Sequence, residues 1–273
     1  MLLLDKYEDL LTIRKVSPKT MITYLRIAKS LIDYDSTFFE GEQSIIIKYL
    51  SNRVKQGISA SYLIQYIAVI DFIRGNILDI HDRIKIEKPE KEVIVPDVLT
   101  TDEFQKLYST VHNIKHKAIL ALMYSSGMRV GEVVNLKMKD VDGSNSKIII
   151  RQSKGKVDRV VILDDSILNL LREYFIAYQP NIYLFNGSTG GKYSTRSIQA
   201  IVKNSCKKAG ITKNISTHSL RHSCFTQLIK NGVDLRTIQR LAGHKNINTT
   251  AGYIRISDED VLSVKSPIKG IKI

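Results

Sequence analysis

Along most of the chain apolar residues return every third or fourth position, the period of an amphipathic helix. Between residues 5 and about 85 this pattern predicts four helices, at 5 to 14, 18 to 34, about 42 to 55 and about 60 to 78. Ser17 followed by Pro18 is a helix start, because the serine caps and the proline needs no amide donor in the first turn; Gly57 is a stop. Tyr24, Tyr49, Tyr62 and Tyr66 recur at helical spacing and are expected in the core or at its edge rather than stacked on bases. The lone His81 is read in the same structural way. Residues 86 to 98, IEKPEKEVIVPDV, set Pro89 and Pro96 among charges, which disfavours helix and predicts an extended linker. Thr100 and Glu103 then have capping-box spacing ahead of Phe104, Leu107 and Val111, so a second domain begins here.

In that domain a buried helix is expected at about 114 to 125, stopped by Ser126 and Gly127. Residues 147 to 163, KIIIRQSKGKVDRVVIL, hold two β-branched runs around a Lys-Gly turn, a hairpin pattern. Helices follow at about 165 to 177 and 195 to 209, separated by the Gly-rich NGSTGGK at 186 to 192. That loop lacks the spacing of a phosphate-binding P-loop and gets no nucleotide role. A helix capped by Ser216 or Thr217 should end at Asn231-Gly232. Asp234 caps a short one packed through Leu235, Ile238 and Leu241 and stopped at Gly243. A last helix, starting at Asn248 or Thr249, carries Tyr253. The chain is thus expected to be mainly α with a small β-hairpin: an all-helical domain at 1–85, a linker at 86–98, and an α+β domain at 99–273.

Charge interrupts the apolar pattern in two places. The helix from 217 has one apolar stripe through Leu220, Cys224, Phe225, Leu228 and Ile229, and at about 100° per residue Arg221 points into the middle of it. A guanidinium so placed needs a partner. An acidic neighbour would satisfy it; so would an external anion, since His218 lies one turn earlier at a helix N-terminus. In SSGMRVGEVVNL, at 125 to 136, Arg129 and Glu132 sit three residues apart among Met128, Val130, Val133 and Leu136. A structural ion pair accounts for both. Lys154, at the hairpin tip, reads by itself as a solvated charge.

Composition changes this picture through the distribution of charge. The 273 residues are 43% hydrophobic, enough for one large or two modest cores. The formal net charge is +14 with a pI near 9.6, which suits an extended polyanion better than a small acidic metabolite. Residues 1 to 90 carry 13 Lys+Arg against 12 Asp+Glu, whereas residues 91 to 273 carry 28 against 15, so the excess belongs to the second domain. Cys206 and Cys224 lack metal-ligand spacing and read as reduced thiols. No stretch is apolar and long enough to span a membrane, and Met-Leu-Leu-Leu is too short for a signal peptide. A cytoplasmic protein is expected.

Taken in order, SSGMRVGEVVNL at 125 to 136, HSLRHS at 218 to 223 and LAGHKNINTTAGY at 241 to 253 resemble the tyrosine recombinase (phage integrase) family, most closely its compact Xer-type members. The resemblance covers nearly the whole chain. It implies a helical DNA core-binding (SAM-like) domain at 1–85 and a catalytic domain at 99–273. It implies that Arg129 and Arg221 clamp the scissile phosphate, that His218 and His244 complete the pocket, and that Tyr253 is the nucleophile. Lys154 matches the family's hairpin lysine, the general acid; Glu132 matches the acid supporting the first arginine, and His222 is structural. It further implies double-stranded DNA with inverted-repeat sites as partner, a homotetramer on DNA, and no metal, ATP or other cofactor. The chain departs from the family at Ala242, where leucine is common, and at Gly252, where a larger residue precedes the tyrosine. Only twenty residues follow Tyr253, so a tail exchanged between subunits would be short, with Val261, Leu262, Val264, Ile268 and Ile271 as its contacts. Two rivals remain: a helix-turn-helix regulator using residues 232 to 255, which leaves Arg129, Lys154, His218 and Arg221 without a role, and a type IB topoisomerase, which shares the chemistry without strand exchange.

Overall fold

The computed structural model describes residues 2–82, 86, 96–151, 158–244, 246, 247 and 250, and they form two compact units divided near Ile94 and Val95. Most of the expected linker, the hairpin tip with Lys154, and the segment from 251 with Tyr253 lie outside the described residues. Among those described, no helix is long and apolar enough to cross a membrane.

Among its described residues the first unit contains four helices: α1 (Leu2–Ile13), α2 (Pro18–Tyr34), α3 (Gln43–Lys55) and α4 (Ala60–Asn76). Ser17 and Ser59 cap α2 and α4 by accepting from the amides of Thr20 and Tyr62, the role for which a short hydroxyl before a helix is suited. The stripes of the four helices close on one core around Tyr7, Ile27, Leu31, Ile46, Leu50, Ile70 and Ile73, each fully or almost fully buried. Burial of each such side chain contributes about 1.5–3 kcal/mol before the entropy of ordering is counted. Tyr66 lies inside this core, and Tyr24, Tyr49 and Tyr62 pack at its edge, as their spacing suggested. Arg74, also buried, donates to the carbonyls of Phe39 and Gly41 and pins the loop between α2 and α3. His81 is exposed and pairs with Asp79.

The second unit is helical around one small sheet. It begins with α5 (Thr101–Ser109), whose start is the expected capping box: Thr100 accepts from the Glu103 amide and Glu103 accepts from the Thr100 amide. Next is α6 (Ile114–Ser126), in which every residue from Ala118 to Met123 is buried. Gly127 ends it in the left-handed region at φ +61°, and a short helix α7 (Val130–Asn135) follows. Strands β1 (Val141–Asp142), β2 (Lys147–Ile150) and β3 (Arg159–Ile162) form an antiparallel sheet in chain order, with Ile148 opposite Val161 and Ile150 opposite Arg159. The remaining described helices are α8 (Asp165–Tyr178), α9 (Thr195–Lys208), α10 (Thr217–Lys230) and α11 (Leu235–Ala242). Both α8 and α10 pack on α6, which thereby becomes the axis of the unit.

Candidate active site

Four helix ends of the second unit meet around Arg221. Ser216 starts α10 by accepting from the amides of His218 and Ser219. Arg221 falls one turn in, on the stripe the sequence indicated, and is 1% exposed. Two backbone carbonyls take its guanidinium: Nη1 donates to Gly127 O at 2.5 Å and Nη2 to Ala242 O at 2.6 Å. Nη2 also lies 3.1 Å from His244 Nε2. The guanidinium carbon stands 4.7 Å from the centroid of the Phe225 ring, a cation–π arrangement one helical turn on. The same ring closes over Gly127, where an added Cβ would meet Phe225 Cζ at 2.6 Å. Gly127 is therefore required twice, by its positive φ and by this close approach.

The second carbonyl follows from the way α11 ends. Gly243, at φ +63°, turns the chain so that its own amide and that of His244 satisfy the carbonyls of Arg240 and Gln239. Ala242 O and Leu241 O then remain at a helix C-terminus, where partial negative charge attracts cations. Arg221 takes the first; Arg159, from β3, takes the second with Nε at 2.7 Å. His244 leaves the same turn. Because a guanidinium only donates, Nε2 of His244 is the acceptor in the Arg221 contact, and Nδ1 carries the proton towards Thr250 Oγ1 at 3.0 Å. Burial, and then the charges of Arg221, Arg129 and Arg159, hold the His244 pKa down to about 4. His218 is also lowered, by burial first and then by Arg221 and Arg129. Both imidazoles are neutral near pH 7.

Arg129 caps α7 with extended backbone, φ −72° and ψ 147°, rather than lying within the helix. Glu132, in the first turn, reaches back to the Arg129 amide at 2.7 Å and to its Nη1 at 3.1 Å. The sequence pair is thus real, but its acid is shared. Arg159 grips the same carboxylate with both fork nitrogens, at 2.7 and 2.8 Å. Burial pushes the Glu132 pKa up, and the Arg159 hydrogen bonds and charge, followed by those of Arg129, more than offset it and hold it at about 2. Arg129 keeps much of its side chain open, at 39% exposure, and lines a cleft of about 1010 Å³ together with His218, Thr217, Lys137, Arg151 and Lys192.

Of the seven residues singled out from sequence, the structure brings Arg129, Glu132, His218, Arg221 and His244 into this one region; Lys154 and Tyr253 lie outside the described residues. Arg159 and Lys192 were missed. Arg159 is 7% exposed and alternates with Val160, out, and Val161, in. With Val160 and Ile162 also β-branched on the other face, the strand gave no signal of which face is buried. Lys192 ends the Gly-rich loop and donates to Asn135 Oδ1 at 2.6 Å, beside the cleft. Among the described residues there is no cluster of His, Cys, Asp or Glu able to hold a metal ion.

The fold, mainly helical with a three-stranded sheet, is that of the tyrosine recombinases. It matches a crystal structure of XerA recombinase over 95% of both chains with TM-score 0.58 and 27% identity. It also matches a lambda integrase tetramer bound to a Holliday junction, with TM-score 0.77 and 19% identity over 94% of this chain and 78% of that one. The tyrosine recombinase XerA of Pyrococcus horikoshii is 35% identical over 233 residues, 82% of this chain and 81% of that protein. Residues 97–260 match the model of the phage integrase family, and the chain belongs to that family. Its activity is site-specific DNA recombination, which sets aside the regulator.

Proposed function

We propose that the second unit cuts and rejoins DNA through a covalent 3′-phosphotyrosine on Tyr253, with Arg129 and Arg221 holding the scissile phosphate. The observation that supports it best is the pair of arginines anchored from behind, one by Glu132 and the other by Gly127 O and Ala242 O, beside two neutral histidines. A phosphodiester is an anion that resists nucleophiles. Preorganised donors that stabilise the pentavalent transition state each contribute on the order of 10²–10³ in rate. The Tyr253 phenol loses its proton to water as its oxygen bonds to phosphorus, the P–O5′ bond breaks, and Lys154 gives the departing oxygen a proton and regains one from solvent, help worth roughly 10²–10⁴. A 5′-hydroxyl from a partner duplex then attacks the phosphotyrosine and releases the phenol, so the bond energy is kept and neither ATP nor metal enters. His218 and His244 complete the phosphate pocket, with Glu132 in support.

Residues 1–85 serve as the core-binding domain, 86–98 as linker and 99–273 as the catalytic domain. Cutting two duplexes takes four sites, so the working form is a homotetramer on inverted-repeat DNA, as the lambda integrase of similar fold is a tetramer on a Holliday junction. The biological role is Xer-like dimer resolution in chromosome segregation, or integration and excision of a mobile element, in the cytoplasm. The test is incubation with nicked suicide DNA followed by a denaturing gel. A covalent complex that Tyr253→Phe abolishes is expected, and its absence with the parent protein refutes the mechanism. Relaxation of plasmids without any site requirement would instead indicate topoisomerase-like action. Sequencing the covalent junction separates a chromosomal site from the ends of an element.

A further inference from the structure

Arg159 opens β3 and is almost completely buried, with its guanidinium taken up by protein acceptors. Its three contacts bind together three elements that are far apart in sequence. Nη1 and Nη2 hold Glu132, 27 residues away at the start of α7; Nε holds Leu241 O, 82 residues away at the end of α11. Glu132 in turn fixes the backbone and side chain of Arg129, and the carbonyl next to Leu241 O anchors Arg221. A planar fork plus a third donor at fixed angle is a geometry that only arginine supplies.

We propose that Arg159 is a positioning residue for the strand-transfer site, setting Arg129 through Glu132 and the Arg221–His244 corner through the α11 carboxyl end. The proposal rests on the phosphate-clamp reading of Arg129 given above. The proposed effect runs through Glu132 and the end of α11 and so falls on stabilisation of the charged phosphorane; an effect through the β2–β3 hairpin that carries Lys154 would fall on protonation of the departing oxygen instead.

The test uses the full chain and compares Arg159→Lys and Glu132→Asp with the parent. Arg159→Lys keeps the charge but not the fork, while Glu132→Asp shortens the shared carboxylate by one methylene. On suicide DNA each variant is expected to bind as tightly as the parent and to form the covalent complex about 10²-fold more slowly, the scale of a misplaced catalytic group. A substrate with sulfur in place of the bridging 5′-oxygen carries a leaving group that needs no proton; it is expected not to restore the rate. The double variant should lose about as much as the worse single one, because both changes break one assembly. Restoration by the sulfur substrate, independent multiplication of the two losses, or parent-like cleavage by Arg159→Lys overturns the proposal. So does a variant whose slow cleavage is explained by weakened DNA binding or by a melting transition lowered into the assay temperature. Arg129→Ala separates the levels. If it cleaves normally, the clamp reading itself fails; if it is inactive while Arg159→Lys cleaves at the parent rate, only the positioning role fails.

Discussion

Replacing Glu132 by glutamine removes one negative charge from between two guanidinium groups. At neutral pH the carboxylate accepts four hydrogen bonds, two from the Arg159 fork and two from Arg129. Its pKa falls from 4.5 to about 2, and at 1.36 kcal/mol per unit that depression corresponds to about 3 kcal/mol of stability in the ionised form. The magnitude agrees with the roughly 3–5 kcal/mol lost when a buried pair is deprived of one partner. The sign follows from linkage. A depressed carboxylate contributes fully above its unfolded pKa and loses that contribution as pH falls through the folded one, so the advantage of Glu132 over Gln should shrink between about pH 4.5 and 2 and be roughly halved near pH 3. Cys206 and Cys224, the only cysteines, are both buried in the second unit and report its unfolding separately from the first. Urea titrations read by labelling with a pyridyl disulfide, which reacts in acid, give the difference at each pH. A difference below about 1 kcal/mol at pH 7, or one that does not change with acid, would refute the account of Glu132 as a buried, doubly paired anion.

Three further outcomes follow from the same geometry. Gly127→Ala places a methyl group 2.6 Å from Phe225 Cζ at φ +61°, so a loss of about 1–3 kcal/mol is expected in thermal or urea unfolding, together with slower cleavage because the carbonyl holding Arg221 moves; a parent-like Tm would contradict it. His244, held near 4, should show an imidazole titration in NMR far below the ordinary 6.5, and the stability tied to its neutral form should disappear as pH falls from about 6.5 to 4; a midpoint above 6 would remove the Arg221–His244 contact from the ground state. Lys192→Gln, at the edge of the cleft, should lower the slope of log affinity against log salt by about 0.9 for one lost phosphate contact while leaving the rate at saturating DNA unchanged; an unaltered slope would take Lys192 off the DNA path.

The sequence made the local devices of the second unit legible because each is encoded within a few residues. Thr100 with Glu103, Gly127 after the apolar helix, Ser216 before His218 and Gly243 after Leu241 all act over one turn, and each stands where it was expected. Arg221 was conspicuous for the same reason, since a 3.6-residue period exposes a charge on an apolar stripe. Arg159 was not. Its strand is β-branched on both faces, with Val160 and Ile162 outward and Val161 inward, so hydrophobicity does not say which face is buried, and a one-residue shift would have put the arginine in solvent. Nor does the 27-residue interval to Glu132 have any local mark.

A deeper reason explains why Arg221 invited an acidic partner and received carbonyls. Side-chain pairs leave two entries in a sequence, the cation and its acid, whereas a backbone acceptor leaves only one. Here the acceptors are the carbonyl of the helix-ending Gly127 and that of Ala242 in the last turn of α11, left available where Gly243 turns the chain. A carbonyl's partial charge neutralises a guanidinium less than the full charge of a carboxylate does. Arg129, which shares a full carboxylate with Arg159, is by contrast held in place by charge while its side chain stays open to the cleft. The two arginines are therefore supported differently. Arg221 is buried and held on two backbone carbonyls, whereas Arg129 is tethered by a carboxylate and keeps its side chain open to the cleft. Under the proposed phosphate clamp, an acidic residue introduced beside Arg221 is expected to slow formation of the covalent complex without unfolding the unit, since its carboxylate would compete with the phosphate for the guanidinium.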